Sequence, residues 1–223
     1  MIVSIHQPNY LPYLGFFRKM LHSDIFILYD TAQYSKNEFH NRNRIKTARG
    51  VQWLTVPVRR TGLQPIRSVE IARNLGWAAK HRKAIEANYR RATHYSSYAP
   101  ELAEILSRDW NGLSDLNTEV VKTIARWLSI STKIVLTSQL PQPPSDDPTE
   151  KILWMVGAVG GDSYLSGPGG RDYLDSSKFG SVRLEYSDFT ARPYPQLHGA
   201  FVPNLSVVDA LLNCGKGARE LIA

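Results

Sequence analysis

The stretch IVSIHQPNYLPYLGFFRKMLHSDIFILYD, residues 2–30, decides the fold. IVSIH is a short apolar run before a Pro/Asn turn and reads as a buried strand. GFFRKMLHS places Phe16, Phe17, Met20 and Leu21 at helical spacing. DIFILYD is an apolar run between two aspartates and reads as a second strand. Strand, helix and strand in this order predict a parallel βαβ unit. A right-handed crossover brings both strand C-terminal ends to one rim of the sheet. That rim carries His6 to Asn9 from the first strand and Asp30 to Gln33 from the second.

Working outward, KIVLTS (133–138), SYLSG (163–167) and VRLEYSDF (182–189) read as further strands. VQWLTVPV (51–58) reads as a strand that Pro57 pushes to an edge, with SVEIA (68–72) as its partner. Helical patterns cover 77–91, APELAEILSRDW (99–110) and SDLNTEVVKTIARWLSI (114–130). The last is capped by Ser114 or Asp115 and lines up Leu116, Val120, Ile124, Trp127 and Leu128. Pro148 and Thr149 open a helix through TEKILWMVGAV, and SVVDALLNCG is a capped helix ending at Gly215. The expectation is an α/β fold: a mostly parallel, open, Rossmann-like sheet with flanking helices. Residues 1–223 form one domain, with 37–110 as a basic inserted α+β subdomain.

The chain has 223 residues, 43% of them hydrophobic, enough for a real core. No apolar run reaches the roughly 18 residues of a membrane span. His6, Gln7 and Asn9 interrupt any secretory signal, and the single cysteine, Cys214, suits a cytoplasmic protein and removes Cys-based zinc sites. Histidine pairs at helical i, i+4 spacing are absent, so no metal site is expected. The net charge of +7 favours anionic partners such as nucleic acid, nucleotides or phosphorylated sugars. Its cations cluster: Lys36, Arg42, Arg44, Lys46, Arg49, Arg59 and Arg60 against Glu38 alone, then Lys80, His81, Arg82, Lys83, Arg90, Arg91 and His94.

Four groups of residues could carry chemistry. His6, Gln7, Asn9 and Tyr10 stand at the mouth of the first strand, where open α/β sheets bind ligands. Histidine there serves as a base or a phosphate partner, and Gln and Asn supply donors and acceptors. DTAQYSKNEFHNRNRIK (30–46) offers Asp30, Gln33, Tyr34, Lys36, Asn41, Arg42 and Asn43. Arg42 either clamps a phosphate or carboxylate or pairs with Asp30 structurally. YLSGPGGRDYLD (164–175) runs from a strand through Ser166, Gly167, Gly169 and Gly170 to a helix expected near Arg171. Such a loop either holds an anion on free backbone N–H groups or is a tight βα turn needing positive φ. ARPYPQLHGAFVPNLSVVD (191–209) is a long extended segment carrying Tyr194, Gln196 and His198, either functional or a surface wrap. Cys214 reads as packing.

HQPNYLPYLGFFRKM, DIFILYDTAQYSK, NRNRIK, WLTVPV, YLSGPGGRDYLD and PNLSVVDALLNCG together resemble the WbqC-like family, in order, from residue 2 to about 215. That resemblance implies bacterial surface-polysaccharide or natural-product biosynthesis, and decoration of amino sugars, including addition of an aminoacyl group such as glycyl. A weaker likeness is to adenylyl-transferring nucleotide-binding folds, but HQPN lacks their second His and Gly, and their Lys-Met-Ser-Lys loop is missing.

The expected function is therefore a transferase forming an amide or ester on a sugar or small molecule. His6 would be the base, Gln7, Asn9 or the Gly169–Gly170 backbone the oxyanion stabiliser, and Asp30 the group orienting His6 or the acceptor ammonium. The donor would be an aminoacyl-tRNA or a nucleotide-linked group, held by Arg42 and the basic 36–60 and 80–94 segments. A nucleotide-dependent ligase or nucleotidyltransferase on the same rim, and a non-catalytic binding module of a pathway, are the alternatives.

Overall fold

The computed structural model describes residues 1–59 and 62–223; Arg60, counted above in the basic segment, lies outside the described residues. The βαβ unit is present as β1 (Ile2–His6), α1 (Leu14–Leu21) and β2 (Ile25–Leu28). Later strands β7 (Lys133–Leu136), β8 (Ser163–Ser166) and β9 (Arg183–Tyr186) complete a five-stranded sheet in the order β7-β2-β1-β8-β9. Every neighbouring pair in it is parallel. Chain order thus runs outward from β1 in one direction and then resumes on its other side. The point of reversal lies between β1 and β8, the place where doubly wound sheets open a crevice.

Alternation along the strands builds two apolar layers. Val3, Ile5, Ile25 and Ile27 face α5 (Pro148–Ala158) and pack with Ile152, Met155 and Val156. Phe26 and Leu28 face the other way, onto Phe16 and Phe17 of α1, α4 (Leu113–Trp127) and α6 (Val207–Cys214). Burying each such side chain contributes on the order of 1.5–3 kcal/mol. Both faces are covered, as a parallel sheet requires.

Between β2 and α4 the chain forms a hairpin, β3 (Arg42–Thr47) and β4 (Gly50–Thr55), and a small pair, β5 (Val58–Arg59) and β6 (Glu70–Ile71). Helices α2 (Trp77–Tyr89) and α3 (Tyr95–Ser107) follow. Ile45, Leu54, Val56, Ile71, Trp77 and Leu102 share one continuous core with Phe16 and Phe26.

Three local expectations are corrected. Helix α4 begins at Leu113 with Gly112 at its N-cap, so Ser114 and Asp115 lie inside the first turn, where Asp115 favours the positive end of the helix. Helix α3 starts a turn earlier than Ala99, and Pro100 lies inside it, where its ring leaves the Ser96 carbonyl without a helical donor. After β8 there is no α-helix at Arg171; Pro168–Asp172 is a 3-10 turn. Arg171 is instead drawn out to Asp188 by two bonds of 2.9 and 3.1 Å and stacks on Tyr186.

Candidate active site at the parting of two strands

Strands β1 and β8 pair only at Ile2–Ser163 and Val3–Tyr164, while β1–β2 pairing continues to His6 and β8–β9 pairing to Ser166. Beyond Val3 the two strands part. The His6 carbonyl accepts from Tyr29 N at 2.8 Å on the β2 side, so the Ile5 carbonyl, one residue earlier, faces β8. Likewise Ser166 O accepts from Ser187 N on the β9 side, so Leu165 O faces β1. Side chains satisfy these two freed carbonyls. Ser4 Oγ donates to Leu165 O at 2.9 Å, and Lys19 Nζ donates to Ile5 O at 2.8 Å.

A cavity of about 660 Å³ opens above this gap. Its floor and walls come from His6 and Gln7 at the end of β1, Gly15 and Lys19 of α1, Ser166 to Gly170 at the end of β8, Lys151 of α5, and the rings of Tyr13, Tyr29, Tyr173 and Phe189. Gly15 is required by packing. A Cβ there would lie 2.4 Å from the Tyr13 ring and 2.8 Å from that of Phe189.

Lys19 is the residue the sequence reading missed. It is buried, only 5% exposed, and none of the ion pairs among the described residues includes it. Burial without a carboxylate pushes its ammonium down to about 7. The signal was present: Lys19 shares a helical face with Phe16 and Met20, where a charge is out of place.

His6 is half-buried, with its ring edge-on to Phe16 at 4.7 Å. Burial first, then the neighbouring Lys19 charge, lowers it to about 3, so it is neutral at physiological pH. Its Nδ1 lies 2.9 Å from the Gln7 carbonyl, which only accepts. The proton is therefore on Nδ1, and Nε2 keeps its lone pair. Gln7 Oε1 lies 2.6 Å from His40 Nε2, and His40 Nδ1 accepts from Ser35 N at 3.4 Å. His40 thus donates to Gln7, which fixes the amide flip and leaves the Gln7 NH₂ as a donor at the cavity.

Of the other expected residues, Ser166, Gly167, Gly169 and Gly170 line the cavity. None of these glycines has positive φ, so the loop is not the left-handed turn considered above. A Cβ on Gly170 would lie 2.1 Å from Ser166 Oγ.

The remainder lie elsewhere. Asp30 is buried and accepts from Thr137 Oγ1 at 2.8 Å, Ser138 N at 2.9 Å and Ser138 Oγ at 2.6 Å. It ties the end of β2 to the end of β7, and neither His6 nor Arg42 is among its partners. Tyr10 is core, its hydroxyl 2.8 Å from His81 Nδ1. Asn9 is buried in the turn and does not line the cavity. Asn41 donates to Val56 O at 2.8 Å. Asn43 donates to the carbonyls of Tyr10 and Leu11. Tyr34 is buried beside His40, and Gln33 and Lys36 are exposed. Arg42 lies 4.3 Å over the Trp53 ring and donates to Asn37 O, on the outer face of the β3–β4 hairpin.

Tyr194 and Gln196 belong to a separate buried network. Tyr194 and Tyr89 both donate to Asp209, at 2.9 and 2.7 Å, and burial raises that carboxyl above its ordinary range. Gln196 accepts from Lys46 Nζ at 3.2 Å. These bonds seal the extended 191–205 segment onto α6 and β3. Among the described residues no His/Cys/Asp/Glu group could hold a metal ion, and no helix is long and apolar enough to cross a membrane.

The family model of the WbqC-like proteins matches residues 7–221. The chain belongs to the WbqC-like protein family. It is also 38% identical, over 226 aligned positions covering 99% of this chain and 96% of the relative, to the uncharacterized protein Rv1507c of Mycobacterium tuberculosis. No solved structure matches it. For this WbqC-like protein the family match runs through both walls of the cavity, from Gln7 to the Gly167–Gly170 loop.

Proposed function

We propose that the cavity where β1 and β8 part is the active site of a transferase. The enzyme moves an acyl or aminoacyl group onto an amino or hydroxyl group of a sugar or other small biosynthetic intermediate. The observation that carries this reading is the pair His6 and Lys19, a neutral imidazole and an amine that exchanges its proton near neutrality, on the floor of one cavity. Acyl transfer needs a nucleophile freed of its proton and donors aimed at the oxyanion. His6 Nε2 meets the acceptor. The Gln7 NH₂ group and the Gly169 N–H serve the oxyanion; the Gly170 N–H is already given to Gly167 O at 3.0 Å. The rings of Tyr13, Tyr29, Tyr173 and Phe189 give a sugar or nucleotide its apolar contact surface. An acyl ester or thioester donor is already activated, so no covalent enzyme intermediate is required.

An aminoacyl-tRNA is one donor that suits the surface. Lys36, Arg49 and Arg59, and then Lys80, Arg82, Lys83, Arg90 and Arg91, are exposed cations of the two basic segments. Such charges bind phosphates without reading sequence.

Purified protein, acetyl-coenzyme A or total aminoacyl-tRNA as donor, and nucleotide-linked amino sugars as acceptors test the reading by mass spectrometry. Product is expected, reduced at least ~10²-fold in His6→Ala. No product with any pair, or product indifferent to His6→Ala and Gln7→Ala, overturns it.

One observation favours a second reading, a nucleotide-dependent ligase or nucleotidyltransferase. The crevice lies where doubly wound sheets hold nucleotides. A thermal shift with ATP and Mg²⁺, absent with acyl donors, would select it.

A further inference from the structure

We propose that Lys19 is the proton acceptor of this site, the group that takes the proton from the attacking nitrogen or oxygen of the acceptor substrate. The inference rests on the transferase reading above. Its geometric basis is independent of that reading. Lys19 is buried, lacks any ion pair among the described residues, and has one hydrogen bond, to Ile5 O. Gly167 stands near it across the gap; a Cβ there would lie 3.9 Å from Nζ, an ordinary contact, and both residues line the cavity.

The groups facing that space reinforce the point. From β1 comes His6, neutral and with its Nδ1 proton committed to Gln7 O. From β8 and its loop come Tyr164 and Tyr173, both raised by burial and so protonated; Tyr29 follows β2. From α5 comes Lys151, paired with the exposed Asp146 at 2.8 Å. None of them offers Lys19 a compensating carboxylate, so burial brings the amine down to about 7, where it exchanges its proton near neutrality.

An amine that exchanges its proton near neutrality suits general-base work. The neutral acceptor gives one N–H or O–H proton to Lys19 as its nitrogen or oxygen attacks the acyl carbonyl. The new C–N or C–O bond forms, and the C–O or C–S bond to the donor breaks. The Lys19 ammonium passes that proton to the leaving oxygen or sulfur.

Two measurements test this. The first is the reactivity of Lys19 toward acetic anhydride across pH 5.5–9.5, read by peptide mass spectrometry on the full-length protein. Half-maximal reactivity near pH 7 is expected. A Lys19 that is unreactive throughout, or whose reactivity is still rising at pH 9.5, overturns the proposal whether or not transfer is found. The second measures transfer from one donor to glucosamine and to glucose, in wild type, Lys19→Met and Lys19→Arg. Expected are a rate rising through pH 7 in wild type, and loss of ~10²–10⁴-fold in kcat in both variants with KM little changed. A kcat or a pH profile kept in Lys19→Met overturns it. Absence of transfer from every donor would instead remove the transferase reading, leaving the titration to judge Lys19.

Discussion

Asn43, in the first half of β3, holds the backbone of Leu11 in the turn after β1. Its Nδ2 donates to Leu11 O at 2.7 Å and to Tyr10 O at 3.2 Å, and its Oδ1 accepts from Arg44 N at 2.8 Å. Leu11 has φ +44°, a conformation that L residues adopt only when held. Asn117 works alongside, donating to Pro8 O at 2.9 Å and His40 O at 2.7 Å. The turn that presents His6 and Gln7 is thus fixed from below by two buried amides.

Asn43→Ala leaves two buried carbonyls without that donor and should cost about 1–3 kcal/mol. Urea unfolding measures it. A variant as stable as wild type would show that the Leu11 conformation does not depend on this bond.

Asp30→Asn separates structure from chemistry. The carboxylate joins β2 to the Thr137–Ser138 turn and does not reach His6. The variant should lose about 1–3 kcal/mol of stability while turnover per folded molecule is unchanged. Turnover lost at unchanged stability would place Asp30 in the reaction after all.

The histidines predict a loss of stability in mild acid. Burial lowers His40 and His81 to about 4 from 6.5. As the pH falls below 6.5 the unfolded chain binds protons that the folded chain refuses. Their stabilising effect is complete above 6.5 and is lost as the pH falls toward 4. Each should contribute a slope of about 1.4 kcal/mol per pH unit within that window. His6, lowered further, adds to it in the same direction. Urea midpoints between pH 7 and 5, before exposed carboxylates titrate, report this; a flat profile would contradict it.

The sheet was legible because its strands carry continuous apolar runs bounded by Asp, Pro and Gly, as buried parallel strands do. Strand β3 was not. Its alternation sets Arg42 and Arg44 outward and Asn43 and Ile45 inward, so neither face reads as apolar. His6, Gln7 and the Gly167–Gly170 loop could be placed at the rim because they follow strands directly. The roles of Asp30, Asn43, Tyr194 and Gln196 could not, because polar side chains that tie backbone together look the same in sequence as those that meet a ligand. Lys19 was hidden differently: it stands next to Arg18 in a short helix, and two adjacent cations read as a solvated pair although only one of them is buried.

That residue gives the sharpest stability test. Lowering Lys19 from 10.5 to about 7 means that between those values the unfolded chain holds a proton the folded chain lacks. Its contribution is complete above 10.5 and is lost as the pH falls through about 7, so at neutral pH the buried amine is a net cost. Lys19→Met removes that cost and leaves Ile5 O without its donor, a smaller loss of about 1–3 kcal/mol. The variant should therefore be more stable than wild type at pH 7. Raising the pH from 7 to 9.5 should then narrow the gap by about 1.4 kcal/mol per unit, because only the wild type gains. Paired urea denaturations at pH 7, 8.5 and 9.5 decide it. A gap that does not change with pH would mean that Lys19 keeps its proton in the folded protein, and that the amine on the cavity floor is an ordinary cation.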